Sequence, residues 1–132
     1  MTASAEALEM TRIAAKAADS KLARDIRAID VSGRLTIADV FLIATAANER
    51  QAEAIVDAIE EALYKAGYKK LRREGEQEAR WVLLDAGALV IHVQHAEART
   101  HFSLDRLWHD CPTLGLGLPG TTDSAKVPEE LD

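Results

Sequence analysis

Hydrophobic positions along this 132-residue chain follow two rhythms, one helical and one extended. The helical rhythm is clearest where Ala52, Ile55, Val56, Ile59, Ala62, Leu63 and Ala66 recur at i, i+3, i+4 and i+7. It predicts an amphipathic helix over 49–66, with Glu53, Asp57, Glu60 and Glu61 toward solvent. Asn48 and Gln51 stand at capping-box positions before it, and Gly67 supplies the stop. The extended rhythm is clearest in residues 80–95, an apolar hairpin with strands expected at 80–85 and 88–94 around an Asp-x-Gly turn.

The remaining elements are weaker. Residues 4–20 are rich in alanine, the best helix former, and Ser4 can cap their first turn. The expected apolar stripe of that helix, through Leu8, Ile13 and Ala17, is thin. Strands are expected at 25–31 and 39–45, the second apolar at consecutive positions as when a strand is covered on both faces. A charged strand at 69–74 suits a sheet edge, and one helical segment is expected from Ala96 through Trp108.

The resulting order is α-β-β-α-β-β-β-α. It predicts an α/β fold with a mixed, mostly five-stranded sheet and packed helices. The crossover spanning 39–74 should be parallel and right-handed. After Cys111 the composition changes: all 3 prolines and three of the 7 glycines follow it. Residues 1–111 are therefore read as one domain and 112–132 as a disordered tail.

Charge narrows the partner. The formal net charge is −6, and the only basic cluster is Lys69-Lys70 with Arg72-Arg73. Phosphate binding needs clustered cations, so little direct RNA contact is expected and a basic protein is the better match. The longest apolar run, Val40 to Ala44, is far short of the roughly 20 residues of a membrane span. No basic-then-apolar leader opens the chain, and a single cysteine fits a reducing compartment, so a cytoplasmic location is expected.

Chemistry is hard to place on these residues. His92 and His95, three apart on a strand, point to opposite faces and cannot grip one ion together. Asp30, Asp39 and Asp85 end strands, as in magnesium-dependent phosphoryl-transfer sites, but no Asp-x-Asp occurs. Asp30 and Asp39 flank a turn, where bonding to loop backbone is the expected role. No phosphate-binding glycine loop or nucleophile elbow is present, and Cys111 lacks an evident thiolate-stabilising setting. Neither catalytic residues, nor a metal, nor a cofactor is expected.

What remains is apolar surface. Alternation places Trp81, Leu83 and Asp85 on one face of their strand and Val82 and Leu84 on the other. If helices cover only one face fully, one of these rows is an exposed apolar patch, the usual core of an interface. Trp108, in Leu104-x-x-Leu107-Trp108, is expected in the core.

Several segments, in order, carry a resemblance. They are Asp25-Ile26-x-x-Ile29-Asp30-Val31-x-Gly33, Thr36-Ile37-Ala38-Asp39-x-Phe41-x-Ile43 and Glu49-Arg50-Gln51. Glu74-Gly75, the run from Arg80 to Val93, and Leu104-x-Arg106-Leu107-Trp108 follow. Together they resemble the ribosomal silencing factor, or Iojap-like, family over residues 5–110. The chain departs at Ala86-Gly87-Ala88, where the family more often has a larger residue, Gly and Asp, and at Phe102, where tyrosine is common.

The resemblance implies a nucleotidyltransferase-like topology without the catalytic site. It implies a non-enzymatic factor that binds large-subunit ribosomal protein fourteen (universal naming) and blocks joining of the small subunit, repressing translation when nutrients are limited. Carried over by position, the partner-binding residues would be Trp81, Leu83, Asp85, Ala86 and Gly87, with His92 and Arg99 beside them. Two alternatives stand next to this: a large-subunit assembly factor using the same contact, and a magnesium-dependent nucleotidyltransferase using Asp30, Asp39 or Asp85. A hairpin of this kind can also pair with itself, so a homodimer is a candidate free state.

Overall fold

The computed structural model describes residues 3–75, 80–101 and 103–123. Its elements are α1 (Ala5–Ser20), β1 (Arg24–Asp30), β2 (Val40–Ala46), α2 (Glu49–Lys65), β3 (Arg72–Glu74), β4 (Trp81–Asp85), β5 (Leu89–His95), α3 (Ala96–His101), α4 (Leu104–Leu107) and β6 (Thr113–Leu114). The strands form one six-stranded mixed sheet in the order β3-β4-β5-β2-β1-β6. β2 and β5 are parallel neighbours at the centre, and the other pairs are antiparallel.

The order corrects two expectations. The sheet has six strands and not five. The crossover through α2 does leave β3 running in the direction of β2, but with β5 and β4 between them. The hairpin residues 81–95 insert into that gap, because β5 is apolar enough to be buried beside β2 whereas β3, reading Arg-Arg-Glu, suits only an edge.

α1 and α2 lie together on one face of the sheet. α2 buries Ala52, Ile55, Val56, Ile59 and Leu63 there, each large side chain contributing about 1.5–3 kcal/mol. Asn48 accepts from Gln51 N at 2.8 Å. Gln51 replies one residue further out than a capping box would, accepting from Ala47 N at 2.6 Å. The helix ends in a Schellman motif: Tyr68 N donates to Leu63 O, Gly67 N donates to Tyr64 O, and Gly67 has φ +101.

In α1, Ser4 caps by accepting from Ala7 N at 3.1 Å. Its buried side is Ala7, Met10, Thr11, Ala14, Ala15 and Ala18, and Leu8, Ile13 and Ala17 lie at the margin. Apart from Met10 and Thr11 the inward side chains are alanines, whose small size lets this helix sit close to the sheet.

Two further expectations change. The helix expected from Ala96 through Trp108 is two short helices, because Ser103 caps α4 by accepting from Arg106 N at 3.1 Å. The departure noted at Phe102 lies outside the described residues. The segment read as a disordered tail is ordered through Asp123: β6 pairs with β1, Ile26 N donates to Gly120 O and Thr122 N donates to Ile26 O. Leu114, Leu116 and Leu118 pack against the main core as they pass. Every second residue of this strap is apolar, so it buries one side along the edge of β1. Residues 124–132 of the expected tail lie outside the described residues.

Candidate functional site

The face of the sheet turned away from α1 and α2 is only partly covered. Strand register places Trp81, Leu83 and Asp85 of β4, Val90 and His92 of β5, and Phe41 and Ile43 of β2 on it. β4 reads half-buried, buried, half-buried, buried, half-buried: Val82 and Leu84 enter the main core, while Trp81, Leu83 and Asp85 remain partly exposed. Val90 and Phe41 extend this surface and are likewise half-buried. Val90 reaches this surface through the β4–β5 hairpin, whereas the place of Phe41 depends on the parallel β2–β5 pairing, which no local pattern announces.

The far side of this face is closed by α3 and α4. Ile29, Val31, Ile43 and Cys111 form a small second core there, with Leu35, Phe41, Leu104 and Trp108 packed on it. Beneath the helices Asp105 meets two guanidinium groups, Arg99 at 2.9 Å and Arg27 at 3.2 Å. Arg99 also donates to Thr45 Oγ1 at 2.8 Å and to the carbonyl of Asp25. At 7% exposure Arg99 is a fastening between α3 and the sheet, which removes it from the exposed surface on which it was expected.

His92 differs from expectation in the same way. It sits on the face but is 5% exposed. Its Nδ1 accepts from Trp81 Nε1 at 3.1 Å, its ring meets the edge of Phe41 at 5.1 Å, and Nε2 finds no hydrogen-bond partner among the described residues. Burial pushes its pKa down to about 4, so the ring is neutral at pH 7.

The Asp85 turn has a local cause. Asp85 Oδ1 accepts from Gly87 N at 2.9 Å, and Gly87 takes φ +85 with open space around it. Ala86 is half-buried and Gly87 exposed, so the turn lies open beside Leu83. Arg72 of the edge strand stands 4.0 Å from the Asp85 carboxylate and 2.8 Å from Glu74. At the opposite end of β4, Trp81 and Arg80 border an open cavity of ≈ 1010 Å³ shared with Ala96, Glu97, Ala98, Thr100 and His101.

The strand-end carboxylates bind backbone. Asp30 accepts from Ser32 N, Ser32 Oγ and Ala3 N, and Asp39 accepts from Ser4 N. Burial acts to raise the Asp30 pKa, but these bonds outweigh it and hold the group below its ordinary value. Both residues thus fasten the start of α1 to the sheet. Among the described residues no group of three His, Cys, Asp or Glu side chains is placed to hold a metal ion. None of the described helices is long and apolar enough to cross a membrane.

Comparison with known proteins gives this face a setting. The profile of the family described as "Ribosomal silencing factor during starvation" matches residues 4–131. A ribosomal silencing factor RsfS of Bacillus subtilis is 41% identical over 105 residues, covering 80% of this chain and 89% of the relative. A mouse relative, mitochondrial assembly of ribosomal large subunit protein 1, is 32% identical over 92 residues, 65% of this chain and 39% of its own length. A crystal structure of a Chromobacterium violaceum protein superimposes with a TM-score of 0.75 at 28% identity, over 77% of this chain and 85% of that one. The mixed sheet with its flanking helices, and a match along nearly the whole sequence, place this chain in the RsfS family of ribosome-associated translation regulators.

Proposed function

We propose that the face centred on Trp81, Leu83 and the Asp85–Gly87 turn docks on large-subunit ribosomal protein fourteen, at the surface where the small subunit would join. The observation that carries this reading is the split along β4: the helix-facing row is fully buried, while the opposite row leaves an aromatic, an aliphatic and a carboxylate group partly open. An apolar centre with a charged rim is the composition of an interface core. A chain of net charge −6 suits a basic ribosomal protein, with Asp85 able to pair with a lysine or arginine.

The mechanism needs no chemical step. Occupying the joining surface excludes the small subunit sterically, and repression then depends on factor concentration relative to its dissociation constant. The place of action is the cytoplasm, and the fold is of the nucleotidyltransferase type used without catalysis. A second reading, large-subunit assembly through the same contact, is favoured by the name of the mouse relative.

The test is co-sedimentation of the purified protein with free large subunits, followed by addition of small subunits. The parent protein should travel with the large subunit and lower the yield of joined ribosomes. Trp81→Ala and Asp85→Arg should lose both effects while still unfolding cooperatively. Binding and blocking by these variants would move the interface elsewhere. Binding without any block to joining would favour the assembly reading.

A further inference from the structure

We propose that His92 is a positioning residue for Trp81, holding the indole in its docking orientation before a partner arrives. This rests on the docking reading above. Trp81 Nε1 donates to His92 Nδ1 at 3.1 Å, with ring centroids 6.0 Å apart. His92 is itself buried and packed edge-to-face with Phe41. Phe41 meets Trp108 edge-on at 5.4 Å, and the Arg34 guanidinium lies 5.1 Å from the Trp108 ring, anchored by Asp110 at 2.7 Å. A relay of rings thus runs across the face from half-buried Trp108 to half-buried Trp81.

The imidazole costs the fold something. Because Nδ1 accepts, the ring proton sits on Nε2. That donor is buried without an acceptor among the described residues, an arrangement native proteins mostly avoid. A phenyl ring there, although somewhat larger, would carry no orphaned donor. What the imidazole adds over a phenyl is the acceptor at Nδ1, and that acceptor acts on Trp81. An interface aromatic that is already ordered loses less rotamer freedom on docking, so its complex dissociates more slowly.

The experiment measures binding of the full chain to free large subunits for the parent, His92→Phe, Trp81→Phe, the double variant and His92→Gln. Two readouts accompany it: the urea midpoint at pH 7 and solvent exchange of the Trp81 indole N–H by NMR. His92→Phe should unfold at or above the parent midpoint yet bind about 3- to 10-fold more weakly, mostly through faster dissociation. Its indole N–H should exchange faster. His92→Gln, whose side-chain carbonyl can accept, should recover part of the affinity, and His92→Phe should cost nothing further in the Trp81→Phe background. Parent-like binding by His92→Phe, while Trp81→Ala fails to bind, overturns the positioning role and leaves the docking reading intact. Losses that add fully in the double variant, or that track a lowered midpoint, also overturn it. Parent-like binding by Trp81→Ala removes the docking reading itself.

Discussion

Arg99 and Asp105 meet in a bidentate pair beneath α3 and α4, Nε to Oδ1 at 3.2 Å and Nη2 to Oδ2 at 2.9 Å, with both side chains almost wholly buried. Arg27 reaches the same carboxylate at 3.2 Å. One anion therefore compensates two buried cations, and Asp25 assists from 3.8 Å. Removing the anion is costlier than never having had the cluster, because both guanidinium groups stay desolvated. Asp105→Asn should destabilise the protein by about 3–5 kcal/mol, read as a lowered urea midpoint. Retention of the parent midpoint would show that water or rearrangement replaces the carboxylate.

His92 links stability to pH. Its folded pKa of about 4 lies below the ordinary histidine value of 6.5, so between these values the unfolded chain binds more protons. Its contribution is therefore fully present above pH 6.5 and is lost as pH falls toward 4. Unfolding free energy should drop by about 2 kcal/mol between pH 7 and pH 5. His92→Phe should flatten that slope. Asp105, which burial acts to raise but the Arg99 bonds and the charges of Arg99 and Arg27 hold low, gives the same sign of dependence at more acid pH. An unchanged slope in His92→Phe would assign the loss elsewhere.

The strap closes on Gly120. A Cβ there would stand 2.7 Å from both the Ala23 carbonyl oxygen and Asp19 Oδ1, and the Ala23 oxygen is backbone that cannot swing aside. Gly120→Ala should cost about 1–3 kcal/mol and speed hydrogen exchange at Ile26 and Thr122, whose amides bond across the closure. Unaltered exchange at both amides would mean that the strap adjusts without detaching.

Neighbouring residues of β4 should separate stability from binding. Val82 is 2% exposed in the main core, whereas Leu83 is half-buried on the open face. Val82→Ser should cost about 2–4 kcal/mol of stability. Leu83→Ser should change stability by under about 1 kcal/mol while weakening large-subunit binding about tenfold or more. Urea unfolding and co-sedimentation on the same samples distinguish the two, and equal effects of both variants on binding would argue against the proposed face.

Local periodicity determined much of this protein from the sequence alone. The rhythm from Ala52 to Ala66 sufficed for α2 and its burial, because helix geometry repeats within a few residues. Alternation in residues 81–85 likewise settled which side chains share a face, and the charges of Arg72–Glu74 marked an edge. The ordered segments shared with the silencing factors pointed to the family.

The tertiary structure alone decided how those pieces meet. Which strand lies beside β2, that Leu114 to Leu118 bury against the core, and that Arg99 and His92 lie inside depend on residues far apart in sequence. Periodicity specifies which face of an element is apolar, but not which partner covers it. An arginine reads as solvated until an Asp105 is folded against it, and a histidine reads as exposed until Trp81 and Phe41 close around it. The open row of β4 is the remainder of that packing, a surface the sequence made apolar and the fold left partly uncovered.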